Sequence, residues 1–321
     1  MGAGMSNRDV LAIGTSAGGV EALTFLAKGF PRDFAASVLI TIHLSSRFES
    51  SLDEILTQAG PLAAHFVADG EPLEQSRIYI APPERHLIID TNRLWLGNGP
   101  RENHARPAID PMFRSAASCC GPRSIGLVLT GTLRDGASGL WALKQAGGIT
   151  VVQDPGDAHS PEMPMIALSR AKPDHVVRLA DLPALLAGLV RKPAGKPIKV
   201  PEGIKHEVEI AKTGAPRINP MDNVYQLDKL GKRFVLACPD CGGVMWELDE
   251  SDVPRYRCHV GHAYTAEVMS RALDENLRRA LASALRTLEE RVALARSLEG
   301  QIQARESANQ RKAADAGEEN N

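Results

Sequence analysis

Short runs of β-branched and aliphatic residues alternate with helical patterns from Asp9 to about Val190. This alternation is typical of βα units, in which the strands pair in parallel and the helices cover the sheet. We therefore expect residues 8–190 to form an α/β domain with a largely parallel sheet. Residues 90–92 of the segment HLIIDTNRLWLG form a turn signal, which predicts a hairpin at one edge. The strand candidates are DVLAIG, SVLITIH, RIYIAP, SIGLVLTG, GITVVQD and HVVRL.

The remainder of the chain differs in pattern from this region. Residues 191–220 are rich in Pro, Gly and Lys without apolar periodicity, and we interpret them as a linker. Residues 221–264 are too few to form much of a core without a metal. Apolar residues recur at helical spacing over 265–302, which predicts an amphipathic helix that packs on its own chain or forms a coiled coil with a partner or a second copy. The polar tail, 303–321, is expected to be disordered.

Composition excludes several classes of protein. With 43% hydrophobic residues, 24% charged residues and a formal net charge of -2, the chain has the balance of a soluble globular protein. No apolar run approaches the roughly 18 residues of a membrane span, and the N-terminal MGAGMSNRD lacks the pattern of a secretory signal. We expect a cytoplasmic protein without membrane insertion. The odd number of cysteines, five, favours metal binding or burial over disulfides.

The segment from Gly14 to Gly18, GTSAG, fits the pattern G-x-S-x-G between a predicted strand and a helical pattern. Small neighbours allow a tight turn that exposes the Ser16 hydroxyl, and the amides that follow lie at a helix N-terminus, where an oxyanion is stabilised. A phosphate-binding loop is the alternative. The motif lacks the Lys-Ser/Thr and third glycine of such loops, and the next strand ends in His43 instead of an acidic residue. Ser16 is therefore a candidate nucleophile.

Two further side chains are candidates for the same site. His43 ends the strand SVLITIH, so a parallel sheet would bring it to the same carboxyl edge as Ser16. Asp135 follows the strand SIGLVL and would reach the same crevice, where a carboxylate can fix the imidazole tautomer. Each residue also has a purely structural interpretation. His43 can be a structural histidine at a strand end, and Asp135 can be a turn residue or the N-cap of the helix SGLWALKQA. The chain order Ser, His, Asp does not exclude a triad, because triads are defined by geometry.

The region from about Val10 to Val190 contains a series of characteristic blocks, which are IGTSAGGVEAL, IHL, IYIAPPERHL, RPAIDPMFRSAA, LTGTLRDGASGL, GGITVVQDP and the EMP of residues 160–164. In these blocks it resembles the catalytic domain of chemotaxis-type protein-glutamate methylesterases. The resemblance implies a doubly wound α/β domain that hydrolyses glutamate γ-methyl esters on chemoreceptor helices, releases methanol without a catalytic cofactor, and in some members deamidates glutamine. By resemblance, Ser16, His43 and Asp135 match the family's catalytic triad.

The backbone amides of Ala17 and Thr132 match the family's oxyanion donors, but the residues differ. The family often has Thr at the first position and Met-Gly where this chain has Thr132-Leu133, and both differences bear on oxyanion geometry and substrate preference. Only about eight residues precede the first strand, so we do not expect a phosphorylatable receiver domain within this chain. A regulatory adaptor or scaffold in a chemotaxis-like pathway is the alternative function, and an intact triad favours catalysis over it.

Cys238 and Cys241 are separated by two residues and followed by glycines, which indicates a turn that can hold one tetrahedral metal ion. Cys258 and His262 complete a C-x2-C, C-x3-H set, with His259 as the competing fourth ligand. Four protein ligands leave no open coordination position, so we predict structural zinc. The acidic residues between 247 and 252 disfavour contact with phosphates, and we expect no nucleic-acid partner.

Overall fold

The computed structural model of the chain describes residues 7–43, 50–132, 135–213, 220–248 and 254–318. By compactness the chain divides into two units, Met1–Met269 and Ser270–Asn321. The predicted boundary near residue 190 therefore does not separate compact units.

Seven parallel strands form the central sheet, in the order β3-β4-β2-β1-β7-β8-β9. From β1 the chain adds β2 on one side and later β7 on the other, so the sheet is doubly wound with its switch point at β1. The predicted α/β fold is confirmed. The strands are β1 (Val10–Thr15), β2 (Ser37–Ile42), β3 (Ala63–Phe66), β4 (Arg77–Ile80), β7 (Ser124–Val128), β8 (Ile149–Gln153) and β9 (His175–Val177), and a separate antiparallel hairpin is formed by β5 (His86–Asp90) and β6 (Arg93–Gly97).

Helices cover both faces of this sheet. Every residue of β1 and β2 is buried, because side chains of both parities meet helices. Leu11 and Ile13 pack in a core with α1, α2 and α6, whereas Val10 and Ala12 pack in a second core with α3, α4 and α5. These helices are α1 (Gly19–Gly29), α2 (Leu52–Ala59), α3 (Ile109–Cys119), α4 (Ala137–Gln145), α5 (Glu162–Ala171) and α6 (Leu182–Leu189).

The predicted linker contains a helix, α7 (Glu202–Thr213), so that the linker interpretation of 191–220 is wrong for this part. The side chains of Ile210 and Ala211 are buried, and the Gly99 N–H donates a hydrogen bond of 3.0 Å to the Ala211 carbonyl. The apolar stripe of α7 is interrupted by Glu207, which is buried in ion pairs instead of in apolar contacts. Residues 214–219 lie outside the described part of the chain.

A second sheet follows α8 (Pro220–Leu230) and is antiparallel in the order β10-β11-β12-β13. Its own apolar core is small and centres on Leu227, Trp246 and Leu248. We refer to residues 220–265 as the C-terminal module. The prediction places this module at 221–264, and residues 249–253 of that range lie outside the described residues. The strands are β10 (Gly231–Ala237), β11 (Val244–Leu248), β12 (Arg255–Cys258) and β13 (Ala263–Thr265).

The last helix, α9 (Ala266–Glu318), continues well past the predicted end at residue 302. The segment 303–321, expected to be disordered, is helical through Glu318, and its Ala, Glu, Gln, Lys and Arg residues favour a helix. All side chains from Leu277 to Arg305 are exposed, including a row of leucines. None of the described helices combines the length and the apolar character that crossing a membrane requires.

Candidate active site

Ser16 lies in the tight turn between β1 and α1. Its N–H donates to the Thr130 carbonyl at 3.0 Å, and its own carbonyl accepts from the Gly19 N–H at 2.9 Å. Gly18 has φ 75°, a left-handed conformation that favours glycine. A Cβ on Gly131 would lie 3.0 Å from the Ser16 Cβ, so the chain after β7 passes directly beside this serine. The turn places Ser16, which is partly exposed, at the carboxyl edge of the central strand.

His43 follows the last residue of β2, and Asp135 lies in the connection from β7 to α4. Because Thr15 pairs with Ile42 in register, Ser16 and His43 each follow the last paired residue of neighbouring strands. The His43 Nε2 lies 3.0 Å from the Asp135 Oδ2, with the two side chains 10% and 0% exposed. His43 Nδ1 is buried and has no hydrogen-bond partner among the described residues. The structure thus joins His43 to Asp135, and no hydrogen bond links Ser16 to His43 in the described part of the chain.

This arrangement decides which imidazole nitrogen can act as a base. A carboxylate only accepts hydrogen bonds, so the Asp135 contact assigns the proton of neutral His43 to Nε2. Nδ1 then carries the lone pair that can take a proton from a hydroxyl. Hydrogen bonds between catalytic groups are often long without substrate, so the missing Ser16 contact does not exclude this role.

Asp135 also caps α3, although the sequence suggests a cap for α4. Helix α3 has no capping side chain at its own N-cap, and the carboxylate of Asp135 accepts from the N–H groups of Ile109 and, at 3.2 Å, of Asp110. Burial tends to raise the pKa of Asp135, but the hydrogen bond and charge of His43 together with these N–H groups lower it overall. The carboxylate is therefore ionised at neutral pH and stabilised by the helix N-terminus.

Two residues that the sequence does not single out contact this carboxylate or lie beside it. Asn103 Nδ2 donates to Asp135 Oδ1 at 3.3 Å and to Asp110 Oδ2 at 3.2 Å. Burial, followed by the negative charge of Asp135, raises the pKa of Asp110 to about 7. Asp110 Oδ1 in turn accepts from the Gly139 N–H at 2.6 Å. Asp110 lies within the block RPAIDPMFRSAA, but neither residue follows a strand of the central sheet, and their hydrogen bonds to Asp135 span 32 and 25 residues of sequence.

The two candidate oxyanion donors lie on segments that are held together beside Ser16. Thr130 Oγ1 donates to the Ala17 carbonyl at 2.9 Å, and the Gly131 N–H donates to the Ser160 carbonyl at 2.9 Å. The N–H groups of Ala17 and Thr132 donate no hydrogen bond within the described residues. Leu133 of the predicted motif lies outside the described part of the chain.

A cavity of about 470 Å³ lies at the start of α5 and extends to Thr132. It includes most of the block SPEMP, so the resemblance and the cavity coincide in this region. Its lining mixes polar and apolar side chains. The lining residues are Thr132, His159, Ser160, Pro161, Glu162, Met165 and Ile166.

The predicted metal ligands converge in the C-terminal module. The ligand atoms of Cys238, Cys241, Cys258 and His262 all lie within 4.8 Å of one another. His262 Nδ1 is 3.4 Å from Cys258 Sγ, and Cys241 Sγ is 3.8 Å from the same sulfur. Zinc–sulfur bonds of about 2.3 Å in a tetrahedron give sulfur–sulfur edges of about 3.8 Å, so the donor set fits this ion. His259 is not a member of the group.

The doubly wound sheet, with a serine at the turn after its central strand and a His–Asp pair beside it, has the architecture of an α/β esterase catalytic domain. Residues 11–186 match the family model described as CheB methylesterase. The chain belongs to the CheB methylesterase family. The family match ends before α7, so the C-terminal module and α9 lie outside it.

Individual relatives agree with this assignment. A protein-glutamate methylesterase/protein-glutamine glutaminase 2 of Anaeromyxobacter dehalogenans (strain 2CP-C) is 36% identical over 183 residues, which are 57% of this chain and 54% of that relative. A relative from Leptospira interrogans serogroup Icterohaemorrhagiae serovar Lai (strain 56601) is 32% identical over 184 residues, 57% of this chain and 95% of the relative. The chain thus spans about half the length of the first relative and nearly all of the second.

A solved structure has the same fold. The crystal structure of the Thermotoga maritima CheB methylesterase catalytic domain is similar with a TM-score of 0.55 and 27% sequence identity. The similarity covers 59% of this chain and 100% of that domain. The residues matched by the family model, 11–186, include Ser16, His43 and Asp135.

Proposed function

We propose that this chain hydrolyses glutamate γ-methyl esters on a chemoreceptor-like protein in the cytoplasm and releases methanol. The observation that carries the proposal is the buried His43–Asp135 pair. The second ring nitrogen of His43 has no partner among the described residues, and His43 follows the strand that pairs with the one before Ser16. The family assignment and the names of the relatives support the same reaction. Glutamine deamidation would follow the same route, with ammonia as the leaving group.

In the proposed reaction, the Ser16 hydroxyl attacks the ester carbonyl while His43 Nδ1 takes its proton. Asp135 keeps the ring oriented and stabilises the imidazolium. The N–H groups of Ala17 and Thr132 donate to the oxyanion of the tetrahedral intermediate. Collapse breaks the bond to the methoxy oxygen, which takes the proton from His43 and leaves as methanol. Water then attacks the acyl-serine with His43 again as base, which returns glutamate and free Ser16.

The substrate segment would lie in the cavity at the start of α5. This cavity adjoins Thr132, which carries one of the two candidate oxyanion donors. The exposed side chains of Met165 and Leu168 extend its apolar surface along α5. An amphipathic receptor helix offers the complementary apolar face.

The test is methanol release from methylated receptor fragments by the purified chain. We expect Ser16→Ala to reduce turnover by several orders of magnitude, because it removes the covalent route. Adding His43→Ala should cost little more, since the residues act as a unit. Ser169→Ala, which changes an exposed serine on α5, is the matched control. Near-normal release by Ser16→Ala would eliminate the serine mechanism, and retained fragment binding would then favour an adaptor.

We further propose that the group of three cysteines and His262 binds structural zinc. Four protein ligands leave no open position, so the ion would contribute folding energy to the C-terminal module and take no part in ester hydrolysis. The small apolar core of the module supports this proposal, because a domain with so few apolar contacts needs a further stabilising element such as a metal.

For α9 we propose self-association with a second copy of the chain. Leu281, Leu285, Leu288 and Val292 follow the heptad spacing and are 50–62% exposed. In an antiparallel pair, the flanking positions of Glu289 and Arg296 would face each other with opposite charge. The test is the mass of the full chain in solution by light scattering. A dimer that Leu285→Glu and Val292→Glu convert to monomer supports the pairing, whereas a monomeric wild-type chain at high concentration refutes it.

A further inference from the structure

One amide side chain spans from the C-terminal module to the active-site carboxylate. The Asn103 N–H donates to the Ala263 carbonyl at 2.9 Å, and Asn103 Oδ1 accepts from the Thr265 N–H at 3.3 Å. At the other end, Nδ2 donates to the carboxylates of Asp135 and Asp110. The oxygen faces a donor and the nitrogen faces two acceptors, so the amide orientation is fixed by its partners. Asn103 is 5% exposed and therefore has little alternative in water.

The strand that bonds to Asn103 is β13, and it lies next to the predicted metal ligands. β13 begins directly after His262, and the Cys258 N–H donates to the His262 carbonyl at 2.9 Å across the turn from β12. The Tyr264 hydroxyl of β13 lies 3.6 Å from Cys238 Sγ. An ion bound by these ligands would fix the turn and β13 together.

A buried ionic cluster makes a second link between the same parts. Arg257, next to the ligand Cys258, donates to Glu102 at 3.0 Å and to Glu207 at 2.7 Å. Arg114 of α3 pairs with the same two glutamates. All four side chains are at most 2% exposed. These ion pairs connect Glu102, which precedes Asn103, to β12. They also connect β12 to α3, whose N-terminal N–H groups bind Asp135.

We propose that Asn103 is a positioning residue through which the metal-loaded C-terminal module holds Asp135 in the orientation that His43 requires. The inference rests on the proposed function. Without the bond from Asn103, Asp135 Oδ1 keeps its backbone donors. Among the described residues, however, the carboxylate then has no donor other than His43 from outside its own loop and α3. Loss of order in β13 would have the same effect, because β13 fixes both the backbone and the side-chain oxygen of Asn103.

The decisive variant is Asn103→Asp. It preserves the shape and the acceptor for the Thr265 N–H, but it replaces the donor with a negative charge beside two carboxylates. We expect kcat to fall by about 10- to 100-fold, the usual size of a lost hydrogen bond to a charged group, with KM little changed. The decrease in kcat should be smaller for Asn103→Ala than for Asn103→Asp, because the alanine removes the donor without adding a charge. Asn98→Ala, an exposed asparagine of the same connection, is the matched control.

A spectroscopic reading separates positioning from a general loss of fold. The proton on His43 Nε2 that is shared with Asp135 should give a downfield proton resonance, which shifts or broadens in Asn103→Asp and stays in Asn98→Ala. This reading does not depend on the substrate. If the wild-type chain releases no methanol but the resonance changes as expected, the proposed function fails and the positioning role stands. If the wild-type chain is active and Asn103→Asp keeps both kcat and the resonance, the positioning role is overturned.

Metal removal tests whether the C-terminal module helps to orient Asp135. Chelation of the purified full chain should weaken the resonance and lower kcat, and added Zn²⁺ should restore both. The loss of kcat on chelation should be several-fold smaller in Asn103→Ala than in the wild type, since coupled sites are not additive. Equal proportional losses in the two proteins, or an unaffected wild type, would show that the module does not act through Asn103.

Discussion

Replacement of Asp135 by asparagine examines the centre of the site, because the two side chains share a shape and differ in charge and hydrogen bonding. Asp135 Oδ2 accepts from His43 and from the Ile109 N–H, whereas Oδ1 accepts three further hydrogen bonds. An asparagine NH2 group cannot accept. At the Oδ2 position the NH2 group would face two hydrogen-bond donors, and at the Oδ1 position it would face three. We therefore expect the NH2 group at the Oδ2 position, where fewer donors lose their acceptor.

The cost to stability follows from that orientation. The buried Ile109 N–H would lose its acceptor, which costs about 1–3 kcal/mol. Loss of the negative charge at the N-terminus of α3 adds about 0.3–2 kcal/mol. We therefore expect the free energy of unfolding of Asp135→Asn to fall by about 1–5 kcal/mol. Urea denaturation would measure it, with Asp33→Asn, whose side chain is 81% exposed, as the control.

The cost to activity has a different origin. With an NH2 group at Oδ2, His43 Nε2 must accept, so the ring proton moves to Nδ1 and this nitrogen can no longer take the proton of Ser16. We expect methanol release to fall by about four orders of magnitude. If Asp135→Asn retained both the wild-type rate and the wild-type stability, the carboxylate would neither orient His43 nor cap α3.

Three further predictions concern the rest of the chain. Purified protein should contain about one zinc per chain by elemental analysis, and Cys258→Ser should abolish it while Cys119→Ser, outside the metal group, should not. Truncation after Val190 removes α7 from its site on α3 and β5, so the fragment should bind more hydrophobic dye and unfold at lower urea than the full chain. The pKa of Asp110 rises from 3.8 to about 7 on folding, so its stabilising contribution is full below pH 3.8 and lost as the pH rises through about 7. Urea titrations should show this pH dependence in the wild type and a weaker one in Asp110→Asn.

The sequence predicts the parts of the fold whose burial is local and continuous. SVLITI of β2 is buried at every position, and such a run can only be a strand or buried helix segment. β3, with the sequence AAHF, is short and half-exposed at the sheet edge, and no run marks it. α7 is obscured in the sequence because Glu207 takes a core position, where it is paired with arginines far away in the chain: Arg114, Arg255 and Arg257.

The same distinction applies to the site. Ser16, His43 and Asp135 can be placed together from the sequence, because parallel strands bring their carboxyl ends to one edge. Asn103 and Asp110 follow no strand of this sheet directly, and only tertiary contacts bring them to Asp135. Proximity at the sheet edge is thus predictable, whereas the shell that orients the carboxylate is not.

The buried ionic cluster has a consequence for how such a chain can evolve. Glu102 and Arg114 belong to the α/β part, Glu207 to α7 and Arg257 to the C-terminal module, up to 155 residues apart. A gene exchange that brought in a module without the matching charges would leave a buried ion unpaired, at a cost of about 3–5 kcal/mol. The module cannot be gained or replaced as an interchangeable cassette unless these four positions change together.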